Sequence, residues 1–167
     1  AAGYPVPRVL RVDMVRGLIA LEDLGDRTFE SVVRESADDE RRRLYRTAIE
    51  KIAALQALGD KHPDPACVAF SRRFDETLLR WELEHFKEWY LEAERGVRLD
   101  EGESRALAAN FAWLARTLAA APTTLVHRDF QSRNLMVVDP NRDLNVIDFQ
   151  DALLGSRAYD LVAILRD

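Results

Sequence analysis

The chain has 167 residues, of which 47% are hydrophobic and 32% charged. This composition is typical of a folded globular protein and excludes an intrinsically disordered one. The net charge of −5 argues against a nucleic-acid partner and against binding to an anionic membrane surface. The single cysteine, Cys67, excludes an internal disulfide and fits a reducing compartment, so we expect a cytoplasmic protein.

Two apolar segments near the start, residues 9–15 and Leu18–Leu21, predict strands joined at Gly17. The second strand runs into a polar segment, residues 22–26, which predicts a loop. A helix is predicted over residues 26–33, with Asp26 or Thr28 as its N-cap.

The next helix is predicted to start within residues 36–39, where acidic residues suit the helix dipole, and to end at Gly59. Its apolar face is formed by four residues that recur at helical spacing: Leu44, Ala48, Ile52 and Leu55.

A long helix is predicted over residues 75–94. Its apolar stripe consists of four residues: Leu79, Leu83, Phe86 and Tyr90. Trp81 and Trp89 on the same helix could stack on a sugar ring, but we expect them to pack in the core.

A further helix should follow a capping box formed by Asp100 and Glu103, and Pro122 should stop it. Four residues predict its buried face: Leu107, Phe111, Leu114 and Leu118. A last helix is expected over residues 159–165.

Two short β-rich segments, residues 135–138 and 144–147, are separated by residues 139–143, whose composition is typical of a turn. We expect an antiparallel hairpin, which would bring Asn134 and Asp148 to within roughly 5 Å of each other across the ladder. An amide oxygen and a carboxylate suit Mg²⁺, provided that a nucleotide supplies further oxygen ligands. Asp129, on the connecting loop before Asn134, would then be placed to meet a hydroxyl group.

Residues 127–134 read H-R-D-F-Q-S-R-N and match the H-R-D-x-x-x-x-N catalytic loop of protein kinases. Asp148 and Phe149 match the first two positions of D-F-G, whereas Gln150 departs from the third, and no A-P-E motif follows. With residues 155–161, the pattern instead resembles the aminoglycoside phosphotransferase-type small-molecule kinases. Within that superfamily it is most similar to the bacterial cell-wall-recycling kinases that phosphorylate N-acetylmuramate and N-acetylglucosamine at the anomeric hydroxyl.

This resemblance implies an α+β, predominantly helical fold, namely the larger lobe of a kinase-like protein with the last strands of the smaller lobe. It implies transfer of a phosphoryl group from ATP, with Mg²⁺, to a hydroxyl group of a small molecule such as an amino sugar. Asp129 would be the catalytic residue, and Asn134 and Asp148 would hold the metal. Three residues would form the hinge that contacts adenine: Glu22, Asp23 and Leu24.

The resemblance also implies that His127 and Asp160 brace the catalytic loop. Arg128 and Arg133 are candidates either for charge neutralisation or for capping of loop carbonyls, and Glu84 and His85 are candidates for contacts to substrate hydroxyls.

By the same resemblance, residues 1–25 would be the end of the smaller lobe with the hinge, and residues 26–167 an incomplete larger lobe. Kinases of this type carry a Gly-rich loop and a strand lysine before the hinge, and we find neither in this sequence. We therefore expect a fragment that is inactive by itself. An aminoglycoside, choline or amino-alcohol kinase, or a non-catalytic binding module, are the alternative interpretations. The sequence gives no prediction of oligomeric state.

Overall fold

The computed structural model describes residues 3–138 and 143–167. The predicted turn residues 139–142 lie outside this described part. Within it, the strands form two-stranded antiparallel sheets. They are β1 (Val9–Asp13) with β2 (Leu18–Leu21), β3 (Thr123–Val126) with β6 (Leu153–Ser156), and β4 (Leu135–Val138) with β5 (Asp143–Val146).

Helices make up most of the described chain, as predicted. They are α1 (Phe29–Glu35), α2 (Asp38–Lys61), α3 (Val68–Ser71), α4 (Glu76–His85), α5 (Glu101–Ala119) and α6 (Tyr159–Arg166). A π-helical segment, Phe86–Glu94, continues α4, and short 3₁₀ turns lie at Ser132–Asn134 and Phe149–Asp151.

Two buried apolar clusters organise the helices around the strands. One cluster joins α1, α2 and α6 to the β4–β5 hairpin and includes Phe130, while the other joins α4 and α5 to β3 and β6 and includes Val126. Val126 and Phe130 are both fully buried. Residues 127–129 therefore span the gap between two anchored positions, which restricts how this loop can move.

Several predicted boundaries are corrected by local hydrogen bonds. The first strand ends at Asp13 and not at residue 15, because the Asp13 carboxylate accepts hydrogen bonds from the backbone N–H groups of Val15 and Arg16 and forms a turn. Thr28, not Asp26, caps α1, since its side chain accepts from the N–H of Ser31. The capping box of Asp100 and Glu103 at the start of α5 is confirmed.

The prediction that Trp81 and Trp89 pack in the core is wrong: their exposed fractions are 50% and 61%. The predicted stripe also breaks, because Phe86 and Tyr90 lie in the π-helical segment and are exposed. A π-helix bonds residue i to i+5, which rotates its side chains relative to the apolar stripe of the preceding α-helix, and Phe86 and Tyr90 instead stack on each other with ring centroids 5.3 Å apart. Leu118, near the end of α5, is exposed as well.

The prediction that Gly59 ends α2 is also wrong, because the helix continues to Lys61. Gly59 is buried where α2 crosses β3, and a Cβ atom added to it would lie only 2.4 Å from the Cβ of Leu125. This glycine is thus required for close approach of helix and strand, not for a turn.

We expect Gly59→Ala to lower the free energy of unfolding by about 1–3 kcal/mol, because the added methyl overpacks a rigid contact and outweighs the better helix propensity of alanine. Gly102→Ala in α5 is the matched control, since its Cβ would meet only a side-chain oxygen of Asp100 at 3.2 Å. Chemical denaturation of both variants measures the difference, and equal stabilities would contradict the packing role of Gly59.

Candidate active site

The loop that follows β3 is held by a buried carboxylate from α6. Asp160 is fully buried, and its two oxygens accept hydrogen bonds from the backbone N–H groups of His127 at 2.8 Å and Arg128 at 3.0 Å. Burial raises the pKa of Asp160, and these two N–H donors oppose that shift. The first turn of α6 is therefore tied to the start of the loop.

Both ring nitrogens of His127 form hydrogen bonds to backbone groups of the protein. Its Nδ1 accepts from the backbone N–H of Asp129 at 3.3 Å, so the ring proton is assigned to Nε2, which donates to the carbonyl of Ile147 at 2.9 Å. His127 is buried, and both ring nitrogens have backbone partners. It joins the loop to the residue before Asp148 and leaves no ring nitrogen for proton exchange with a substrate.

Arg128 has a φ of 76°, in the left-handed region that residues other than glycine seldom adopt. Its guanidinium donates to Glu82 of α4 at 2.7 Å and lies 3.7 Å from Asp151. The guanidinium is also 5.8 Å from the ring centroid of Phe74. Its side chain is thus engaged by internal partners and holds α4 against the loop.

Asp129 lies on a tight turn, and both its backbone N–H and its carbonyl are hydrogen-bonded. Its carbonyl accepts from the N–H of Gln131 and from Nδ2 of Asn134, both at 2.9 Å. Its carboxylate is half-exposed, and its nearest described partner is the guanidinium of Arg133 at 3.8 Å. The turn therefore leaves the carboxylate accessible to a ligand.

Asn134 and Asp148 lie at the open end of the β4–β5 hairpin. The register pairs Leu135 with Val146, and the N–H of Ile147 donates to the carbonyl of Asn134 at 3.0 Å. Ile147, and not Asp148 as predicted, is thus directly opposite Asn134. The ladder stops there because Asp148 turns into the left-handed region with a φ of 66°.

The donor set at this hairpin end fits a hard cation. The Asn134 amide nitrogen is used by the carbonyl of Asp129, which leaves its side-chain oxygen as the free end. Asp148 is exposed and accepts a hydrogen bond from the Gln150 amide at 2.7 Å through one oxygen. Carboxylate and amide oxygens suit Mg²⁺. In the described part of the chain, no group of three or more His, Cys, Asp or Glu side chains could hold a metal.

The predicted hinge residues directly follow β2 in the chain. Glu22 donates its N–H to the carbonyl of Arg8, and Asp23 accepts from the N–H of Gly25 at 2.8 Å. No hydrogen bond is described for Leu24. Arg27 and Thr28, just beyond, bond to β4 at Val137 and Met136. The chain just after the predicted hinge is therefore hydrogen-bonded to β4, the strand that follows Asn134.

Of the two residues predicted on α4 to contact hydroxyl groups, neither bonds to the loop in the described structure. His85 stacks on Trp81 with ring centroids 4.0 Å apart, and Glu84 is exposed. Glu82, in the same sequence segment, is the acid that reaches the loop. The contacts of Glu84 and His85 to substrate hydroxyl groups stay predictions.

A cavity of about 400 Å³ lies beside the loop and is lined in part by Arg128, Gln131 and Tyr159. Burial raises the pKa of the Tyr159 phenol, and the carboxylates of Glu82, Asp160 and Asp129 contribute in the same direction. Sequence reasoning missed this cavity, since its walls come from the loop, α5, β6 and α6.

No helix in the described residues is both long and apolar enough to cross a membrane.

Comparison with known proteins identifies the family of this chain. The model of the phosphotransferase enzyme family matches residues 1–167. The N-acetylmuramate/N-acetylglucosamine kinase of Pseudomonas aeruginosa is 38% identical over 167 residues, which are 99% of this chain and 46% of that protein. The chain thus spans about half the length of the curated relatives it matches.

Solved structures share the fold at lower identity. An aminoglycoside-3'-phosphotransferase of type VIII has a TM-score of 0.58 at 21% identity, covering 98% of this chain and 58% of the other. An ADP-bound structure of an aminoglycoside phosphotransferase, APH(2'')-Ib, has a TM-score of 0.55 at 20% identity, covering 96% and 53%. The fold is therefore that of the kinase-like phosphotransferases, and the chain belongs to the phosphotransferase enzyme family.

Proposed function

We propose that the protein carrying this chain transfers a phosphoryl group from ATP, with Mg²⁺, to a hydroxyl group of an amino sugar such as N-acetylmuramate or N-acetylglucosamine. The observation that carries this proposal is the convergence at one hairpin end of Asp129, Asn134 and Asp148. His127 links the three, since its ring bonds to Asp129 on one side and to the residue before Asp148 on the other.

Asp129 would orient the acceptor hydroxyl and take its proton as the oxygen attacks the terminal phosphorus. The half-exposed carboxylate and its fully bonded backbone suit this role, because the group is accessible but fixed in position. Arg133, 3.8 Å away, can offset negative charge near this carboxylate. Arg128 is committed to Glu82 and Asp151 and instead maintains the shape of the loop.

Asn134 and Asp148 would hold Mg²⁺ through their side-chain oxygens. The metal, when bound, neutralises charge on the phosphate oxygens during a loose, metaphosphate-like transfer. The backbone N–H of Leu24, which has no hydrogen-bond partner among the described residues, would bond to the adenine ring. The ADP-bound relative supports a nucleotide site in this fold.

The amino-sugar acceptor is proposed from the curated relatives, whose names specify N-acetylmuramate and N-acetylglucosamine. The similarity to aminoglycoside phosphotransferases and to a choline/ethanolamine kinase family protein extends to the fold only, because these structures share 18–21% identity with the chain. An assay of ADP release against both amino sugars, an aminoglycoside and choline tests the acceptor class. Activity with choline or the aminoglycoside alone would contradict the proposal.

We expect Asp129→Asn to lower turnover by roughly two to four orders of magnitude with nucleotide affinity nearly unchanged, because a positioned base acts on the transferring step. Steady-state kinetics and nucleotide titration measure the two effects. Asp39→Asn, at an exposed position of α2, is the control for a loss of one carboxylate. Near-normal turnover in Asp129→Asn would remove this residue from catalysis.

We expect Asp148→Asn to raise the Mg²⁺ concentration needed for half-maximal activity, because a neutral amide is a weaker ligand for a hard cation than a carboxylate. Its effect on folding should be small, since Asp148 is exposed. The comparison is a Mg²⁺ titration of this variant beside Asp129→Asn, whose Mg²⁺ midpoint should not move. An unchanged midpoint in Asp148→Asn would show that the metal assignment is wrong.

We expect Asp160→Asn to lower the free energy of unfolding by about 1–3 kcal/mol, because an amide can accept only through its oxygen and leaves one buried backbone N–H without a partner. Turnover should fall by about tenfold to a hundredfold as the loop shifts. Denaturation and kinetics are measured on the same preparation, with Asp39→Asn as control. A variant with normal stability and turnover would show that the loop does not depend on this carboxylate.

A further inference from the structure

The cavity beside the loop is lined by Arg128 and Gln131, which precede and follow Asp129 in the chain. Its polar wall consists of Arg128, Gln131, Ser156 and Tyr159, and its apolar wall includes Leu118 and Val162. A volume of about 400 Å³ lies within the range of roughly 300–1,000 Å³ that is usual for small-molecule sites.

Gln131 is the unusual member of this wall. Its side-chain oxygen is buried, and no hydrogen-bond partner for it exists among the described residues. Buried side-chain oxygens are normally paired, so an unpaired one calls for a donor from elsewhere. The amide lies at the cavity wall, and the terminal torsion of glutamine is broad, so a small rotation can present the oxygen to a bound molecule.

The backbone of Gln131 fixes its distance from the catalytic candidate. Its N–H donates to the carbonyl of Asp129 at 2.9 Å, so the two side chains leave one tight turn.

We propose that Gln131 and this cavity bind the acetamido group of the acceptor sugar, an inference that rests on the proposed function. N-acetylmuramate and N-acetylglucosamine both carry an acetamido group on the carbon next to the anomeric centre, and they differ by a lactyl ether elsewhere on the ring. A site that binds both sugars must therefore recognise the acetamido group that they share.

The chemistry of the cavity matches an acetamido group. The amide N–H of the ligand would donate to the unpaired Gln131 oxygen, and its methyl group would lie against Leu118 and Val162. The anomeric hydroxyl, on the adjacent carbon of the sugar, would then lie towards Asp129, because Asp129 and Gln131 belong to the same tight turn. Gln131 is thus a specificity-determining residue.

The test uses Gln131→Met in the complete enzyme, with N-acetylglucosamine and glucose as acceptors. Glucose lacks the acetamido group. The ratio of kcat/KM for N-acetylglucosamine over glucose should fall by about tenfold, since one ligand hydrogen bond is lost. An unchanged ratio, or an equal loss for both sugars, would overturn the inference.

Ser132→Ala is the matched control, because Ser132 lies next in the chain and lines a different cavity. Its substrate ratio should stay at the wild-type value. The melting temperature of Gln131→Met should equal or exceed that of the wild type, because the removed oxygen has no partner in the protein. A clear fall in melting temperature would mean that this oxygen is bonded internally, which also overturns the inference.

Calorimetric binding of N-acetylglucosamine and glucose without ATP separates this inference from the proposed function. Preferential binding of N-acetylglucosamine that depends on Gln131, without ADP release, would support the acetamido site and refute the kinase proposal. ADP release with no effect of Gln131→Met on the binding preference would do the reverse. A wild-type protein that binds both sugars equally, or neither, contradicts the acetamido site.

Discussion

The two hydrogen bonds from the backbone of residues 127 and 128 to Asp160 are the interaction on which the candidate site depends. A single carboxylate at the start of α6 satisfies two consecutive N–H groups at the point where the chain leaves β3. The bond from His127 is buried and the bond from Arg128 is partly buried, so either N–H would be costly to leave unpaired. Because the carboxylate accepts both, the loop can adopt the left-handed conformation at Arg128 that turns Asp129 outward.

Some side chains of the loop are held by internal contacts, and others remain accessible. His127 and Arg128 are turned inward: one bonds to backbone groups on both sides, and the other pairs with acids from α4 and the 3₁₀ turn after Asp148. Asp129 and Arg133 remain accessible. A kinase-type mechanism requires mainly positioning and charge neutralisation, so a rigid support below a few exposed groups is a suitable arrangement.

The support extends outward through packing. Val126 and Phe130 enter different apolar clusters, so displacement of the loop in either direction would open a buried contact. Gly59 lets α2 approach β3 closely, and Gln56 of the same helix face donates to the carbonyl of Arg157, just before α6. Helix α2 thus contacts both β3, which precedes His127, and the turn that precedes Asp160.

The sequence by itself determined the order of most elements, although not α3 or β6, together with the β4–β5 hairpin and the candidate residues at its open end. These features depend on local patterns: the H-R-D-x-x-x-x-N spacing, two β-rich segments around a turn, and the capping box at Asp100. Tertiary structure decided the features that depend on contacts between distant parts of the chain. It placed Gly59 inside a helix because a strand crosses there, left Trp81 and Trp89 exposed beside a π-helical segment, and paired Glu82 with Arg128. It also placed Gln131, whose side-chain oxygen has no partner among the described residues, at the wall of a cavity formed by four separate elements. Such contacts join residues far apart in the chain and therefore leave no periodic signal in the sequence.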